Sequence, residues 1–141
     1  RSAREASRIA LGKTGALLWL GLLFPALLAG PDREERRTLE ALCIYWGLAF
    51  QALDDVQDVL ATSIDAGKTT GRDRALVRPN LAVALGVPSA RRRIHRLLAQ
   101  AESRLDVLQQ LRPAWGYLEQ FQRYLSEVAA PIAGETAEAA A

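Results

Sequence analysis

From Ala41 to Leu53 the chain reads Ala-Leu-Cys-Ile-Tyr-Trp-Gly-Leu-Ala-Phe-Gln-Ala-Leu, apolar at every position except Gln51. The pattern predicts a helix from about Glu34 to about Ser63, and a helix apolar on every face is buried all round. Gln51, Asp54, Asp55 and Asp58 fall on one stripe of that helix, so three carboxylates and an amide are expected to converge on one patch at the mouth of a core. The patch lies toward the helix's C-terminal end, where the macrodipole disfavours anions, and like charges at i and i+4 repel by about 0.2–0.5 kcal/mol. Both terms point to an incoming cation. Hard oxygen donors suit Mg²⁺, which keeps several waters and binds through one or two carboxylates plus substrate phosphates. Just beyond the helix, Gly67-Lys68-Thr69-Thr70-Gly71-Arg72-Asp73 offers Lys68 and Arg72 as cations for the same phosphates. The plainer alternative is a solvated acidic helix end followed by a basic loop. The apolar approach, the amide on the same stripe and the Gly-Lys loop favour a site.

The remaining punctuation predicts an all-α chain. Ser2 to Leu11 reads as the end of a helix, interrupted at Gly12, and Lys13-Thr14 opens an apolar run that ends at Gly30-Pro31. About 15 apolar residues interrupted by Pro25 are too few for a membrane span, which needs about 20, so a buried bundle or interface helix is expected. Asp32 with Glu35 has the form of a capping box, and the charges from Arg33 to Arg37 are expected to face solvent. Thr62 to Asn80 reads as a loop long enough to be functional. Leu81 to Leu85 is a short apolar segment ending at Gly86. Ser89 is the expected N-cap of a helix to about Leu111, with Ile94, Leu97, Leu98, Ala101, Leu105, Leu108 and Leu111 on one stripe. Pro113 breaks it, and a last helix from Ala114 to about Ala129 presents Trp115, Leu118, Phe121, Leu125 and Val128 to the core. Residues 1–130 are expected to form one domain and 131–141 a frayed tail.

A length of 141 residues with half of them hydrophobic allows one domain with a real core. The net charge of +2 gives no reason to propose a nucleic-acid partner. Arg91, Arg92, Arg93 and Arg96 form a basic patch, but no aromatic residues are interleaved for stacking on bases. His95 has no second histidine to pair with, and Cys43, the single cysteine, reads as a small core residue in a reduced, cytoplasm-like compartment. One histidine and one cysteine cannot assemble a Ser/His/Asp or Cys/His set from this chain. The absence of methionine and the helical pattern already running at Arg1 predict a piece of a longer polypeptide.

Phe50-Gln51-x-x-Asp54-Asp55-x-x-Asp58, then Gly67-Lys68 and Gly71-x-Asp73, with Lys13-Thr14-Gly15 upstream, resemble the C-terminal half of trans-isoprenyl diphosphate synthases, the polyprenyl synthetase family. The match is to the family's second aspartate-rich motif, its Lys-Thr pair and its Gly-Lys loop, in order, over nearly the whole chain. The resemblance implies the C-terminal portion of an all-α helical bundle of the isoprenoid synthase type, surrounding a deep cavity and normally homodimeric. It implies a Mg²⁺-dependent prenyltransferase that joins an allylic diphosphate to isopentenyl diphosphate and releases pyrophosphate. In the family, metals held between two aspartate-rich motifs stabilise the charge on the departing pyrophosphate, while an apolar cavity keeps water from the allylic cation. Carried over by position, Asp54 is the principal Mg²⁺ ligand, with Asp55 and Asp58 as direct or water-mediated helpers. Lys13 and Lys68 pair with diphosphate oxygens, and Thr14 and Gln51 contact the substrate's head end.

Two departures qualify the match. Five residues after Asp73 the family usually has a lysine, and this chain has Arg78, which keeps the charge and can grip phosphate bidentately but is larger and fixed in geometry. No other Asp-Asp-x-x-Asp exists in the chain, so the facing half of the metal clamp is missing and the isolated chain is expected to be inert. A catalytically silent regulatory or partner subunit is the alternative, and a bundle with surface aspartates and no ligand is the structural one. Terpene cyclisation uses similar metal chemistry, but the Gly-Lys loop with Asp73 fits the chain-lengthening synthases better.

Overall fold

The computed structural model describes residue 21, residues 24–65 and residues 80–134. Nearly all of these are helical and none is in a strand, so the chain is all-α as its punctuation predicts. Helix α1 is Phe24–Leu28, α2 is Arg33–Asp65, α3 is Leu81–Leu85 and α4 is Val87–Leu111. A 3-10 turn, Pro113–Leu118, then leads into α5, Glu119–Gly134. No helix among the described residues is long and apolar enough to cross a membrane.

The entry to α2 is the expected capping box. Asp32 Oδ1 accepts the N–H groups of Glu34 and Glu35, both at 2.8 Å, and Glu35 Oε2 accepts the Asp32 N–H at 2.8 Å. Reciprocal caps of this kind satisfy donors that the helix itself cannot. Glu35 does more than the sequence predicts, because it is buried rather than solvated. Its carboxylate also accepts the Trp115 indole N–H at 2.9 Å and two guanidinium donors of Arg112, Nε at 2.7 Å and Nη2 at 2.8 Å. Arg112 stacks over the Trp115 ring and donates to the Ala29 carbonyl at 3.1 Å. One buried carboxylate thus ties the turn before α2 to the junction between α4 and the 3-10 turn.

The core forms where α2 lies along α4. Leu42, Cys43, Trp46, Ala49 and Val56 of α2 are buried together with Ala90, Ile94, Ala101, Leu105 and Leu108 of α4. The predicted α4 stripe is therefore correct except at its end, where Leu111 is 40% exposed beside the break at Arg112. Gln122 of α5 closes the assembly. It accepts the Trp46 indole N–H at 2.6 Å and donates to the Leu98 carbonyl at 3.1 Å, while Trp46 meets Phe121 edge to face at 5.0 Å. A buried amide satisfied on both sides fixes the register of three helices.

Four local expectations change. Helix α2 is not buried all round: Ile44 and Phe50 are exposed and Tyr45 and Leu48 half-buried, because α4 and α5 cover only one side of it among the described residues. Ser89 does not cap α4. The helix starts at Val87, with Gly86 at φ +78° turning the chain directly out of α3, Pro88 in the first turn and the Ser89 hydroxyl accepting Arg92 Nη2 at 2.9 Å. Trp115 and Leu118 are core residues, but on the 3-10 turn rather than an α-helix. Finally, α5 continues to Gly134 through Pro131, held by the buried Ala129 and Ile132.

Burial raises the pKa of the Glu35 carboxyl, but the Asp32 and Trp115 hydrogen bonds and the Arg112 charge outweigh it and hold the group below the ordinary 4.5. A depressed carboxyl contributes stability that is complete above pH 4.5 and is lost as pH falls through its folded value. Glu35→Gln is expected to cost roughly 1–3 kcal/mol at neutral pH in urea denaturation, and the two proteins should converge in stability as the acid range is entered. Burial, and then the charge of Glu40, push the Cys43 thiol up to about 12. Iodoacetamide at pH 8 should therefore leave Cys43 unmodified in the folded chain and label it in urea.

Candidate functional site

The C-terminal half of α2 carries the acidic stripe, and its side chains divide into two directions. Ala52, Leu53 and Val56 anchor the segment in the core. Asp54, Gln57 and Asp58 are exposed, and Asp55 is buried at 6% exposure. The three carboxylates therefore do not share one face: Asp55 turns inward while Asp54 and Asp58 face out. Neighbouring residues on an α-helix point about 100° apart, so when Asp55 turns toward the core Asp54 cannot follow it.

The inward carboxylate is fully engaged. Asp55 Oδ2 accepts the backbone N–H of Leu81 at 2.6 Å, and Oδ1 accepts Gln51 Nε2 at 3.1 Å. The same Gln51 nitrogen lies 3.4 Å from Asp54 Oδ2, so the amide bridges the inward and outward carboxylates. Burial foremost, with Asp54 and Asp58 adding to it, raises the Asp55 pKa against the opposing effect of the Leu81 and Gln51 hydrogen bonds.

The outward pair, Asp54 and Asp58, stands one helical turn apart on a helix whose other side is locked into the core. Both lie about two to three turns before Asp65, whereas the macrodipole effect is confined to the last turn, so mutual repulsion is the larger of the two expected penalties. Two exposed carboxylates, offering oxygen donors alone, fit a hard cation that keeps most of its water, as Mg²⁺ does, and fit zinc poorly. Among the described residues no group of three or more His, Cys, Asp or Glu comes together in a way that could hold a metal ion. His95 lies on the exposed side of α4.

Of the other residues singled out in the sequence, Lys13, Thr14, Lys68, Arg72, Asp73 and Arg78 lie outside the described residues. Asn80, two positions after Arg78, is described, and it is a neighbour of Asp55 that sequence reasoning missed. It donates through Nδ2 to the Asp55 carbonyl at 3.1 Å and caps α3 by accepting the Val83 N–H at 2.9 Å. The signal was present: an asparagine directly before a short apolar run is a helix start. The reading of this stretch as loop running into an apolar segment concealed it.

Comparison with known proteins points to one family. The family model described as polyprenyl synthetase matches residues 2–113. The chain is 38% identical over 93 residues to a dimethylallyltranstransferase of Fischerella ambigua, an alignment covering 66% of this chain and 27% of that protein. It is 36% identical over 104 residues to the farnesyl diphosphate synthase of Escherichia coli, covering 72% of this chain and 34% of that protein. It is also 32% identical over 97 residues to a geranylgeranyl diphosphate synthase of Cyanophora paradoxa, covering 69% and 32%. The chain spans about a quarter to a third of the length of these relatives. No solved structure matches it.

Relief of repulsion can be tested without any ligand. In chelated buffer, Asp54→Asn is expected to leave the chain unchanged or to stabilise it by up to about 0.5 kcal/mol in urea denaturation. A loss above about 1 kcal/mol would assign Asp54 to the scaffold instead.

Proposed function

The chain belongs to the polyprenyl synthetase family, and from that premise we propose that it supplies one wall of a Mg²⁺-dependent prenyltransferase site, which joins an allylic diphosphate to isopentenyl diphosphate. The observation that carries this reading is the outward pair Asp54 and Asp58, held on a helix whose opposite side is locked into the core. In this reading Asp54 is the principal ligand and Asp58 its helper through water or directly. When bound there, Mg²⁺ supplies positive charge against the leaving pyrophosphate.

The chain's own residues do the rest. Lys13 and Lys68 pair with diphosphate oxygens, and Arg78 takes the place of a lysine with a bidentate grip. In this reading Thr14 contacts the head end of the allylic substrate. Gln51, whose amide bridges Asp54 and Asp55, orients the outward carboxylate from behind while facing that same end. The exposed Phe50 and Ile44, on the same helix as the acidic pair, belong to the apolar wall that keeps water from the reacting carbons. Rate enhancement of this kind comes from charges fixed in place before the bond breaks, so a rigid mounting for Asp54 matters as much as its presence. The facing carboxylates of the clamp come from a second aspartate-rich helix that this sequence does not contain. The active unit is a larger polypeptide, homodimeric and cytoplasmic, and the 141-residue chain alone turns over no substrate.

In the intact protein, with isopentenyl and allylic diphosphates supplied, Asp54→Ala is expected to lower Mg²⁺-dependent pyrophosphate release by about 10²–10³-fold. Asp58→Ala should lower it less, and Asp106→Ala on α4 should leave it unchanged. Undiminished release by the Asp54→Ala protein would remove the basis for the proposed role of the outward pair.

A further inference from the structure

Asp55 sits in the middle of an aspartate-rich motif and yet behaves as part of the scaffold. Its side chain is buried, and both of its oxygens are engaged from within the protein. The backbone N–H it accepts belongs to Leu81, the first residue of α3. That amide is one of the donors a helix cannot satisfy internally, and the Asn80 side chain satisfies another at Val83. Asn80 in turn donates to the carbonyl of Asp55. Two hydrogen bonds therefore join Asn80 and Leu81 to Asp55 of α2, and a third caps α3 with the Asn80 side chain. Leu81 and Ala82 are buried at the same point, and the Leu81 hydrogen bond to Asp55 is buried with them.

A five-residue helix has no stability of its own, so α3 stays where it is because it is held. What it terminates is the segment 66–79, which contains Lys68, Arg72 and Arg78, with Arg78 only two positions before Asn80. The departing end of that segment, Asp65, closes α2 itself. Both ends are thus referred to the same helix that carries Asp54 and Asp58. Gln51 completes the link by bridging the clasp carboxylate to the outward one.

We propose that Asp55 is a positioning residue rather than a metal ligand: it clamps Asn80 and Leu81 to α2 and so fixes the start of α3 on the helix that carries Asp54 and Asp58. This deepens the prenyltransferase reading and rests on it for the role of the face. The division of labour reflects helix geometry, with outward carboxylates for the cation and the inward one for the start of α3.

The test uses the intact protein and three variants. Asp55→Ala removes the acceptor, Asp55→Asn keeps a neutral acceptor for the Leu81 N–H, and Asp54→Asn neutralises the outward carboxylate while leaving the Asp55 side chain in place. Amide exchange at Leu81 and Val83, the KM for the allylic diphosphate and the Mg²⁺ concentration for half-maximal rate are measured on each. Asp55→Ala is expected to speed exchange at Leu81 and raise KM about tenfold, the size of one lost charge-assisted hydrogen bond, with the Mg²⁺ requirement unchanged. Asp55→Asn should recover most of both losses, and Asp54→Asn should raise the Mg²⁺ requirement with exchange at Leu81 unaltered. The proposal is overturned if Asp55→Asn raises the Mg²⁺ requirement as much as Asp54→Asn does. It is overturned equally if Asp55→Ala frees Leu81 with KM unmoved, since the clasp would then be purely structural. Should Asp54→Asn leave the Mg²⁺ requirement unaltered while Asp55→Ala still raises KM, the metal face is misassigned and the clamp stands.

Discussion

Two adjacent aspartates on one helix cannot do the same job when the helix is half buried. The angle of about 100° between successive side chains forces a choice, and the burial of Ala52, Leu53 and Val56 decides it: Asp55 goes in and Asp54 stays out. The chemistry of this end of the molecule is set by that choice. The inward carboxylate would be costly without partners, and the partners it finds are the first amide of α3 and the amide of Gln51. The outward pair stands one turn apart on the exposed side, where like charges repel and a divalent cation would relieve that repulsion.

The same economy of buried polar groups organises the rest of the bundle. Glu35 and Gln122 are each surrounded by donors or acceptors from other elements, and each joins parts of the chain that are distant in sequence. Glu35 ties the start of α2 to Arg112 and Trp115, and Gln122 ties its middle to α4 and α5. With Asp55 near the far end, α2 is secured at three points by polar contacts and along its length by apolar packing. A long helix held in this way is a stiff mount, which is what preorganised electrostatics requires of the residues it carries.

The sequence made the helices, the α4 core stripe and the Asp32 cap legible, because those depend on local period and local chemistry. It also made the aspartate-rich stripe legible as a candidate site. Hidden from it were the roles that depend on tertiary partners. Glu35 looked like one more charge in a solvated turn, since nothing near it in sequence announces Arg112 and Trp115. The apolar run of α2 suggested burial on all sides, but periodicity says only that a face can be buried, and Ile44 and Phe50 remain open among the described residues. Asp55 was grouped with Asp54 and Asp58 because spacing alone treats a stripe about 100° wide as one face. Lys13, Thr14, Lys68 and Arg78 stand as sequence-based assignments outside the described residues.

The central claim, that the motif splits into a cation-binding face and an inward clamp, is tested most directly by diffraction from the intact protein soaked with Mn²⁺ and pyrophosphate. Anomalous scattering from manganese locates the cation independently of the carboxylates. The account predicts a manganese peak at ligand distance from Asp54, with Asp58 beside it and Asp55 still accepting the Leu81 N–H. A peak bonded to Asp55, with Leu81 released from it, would contradict the account.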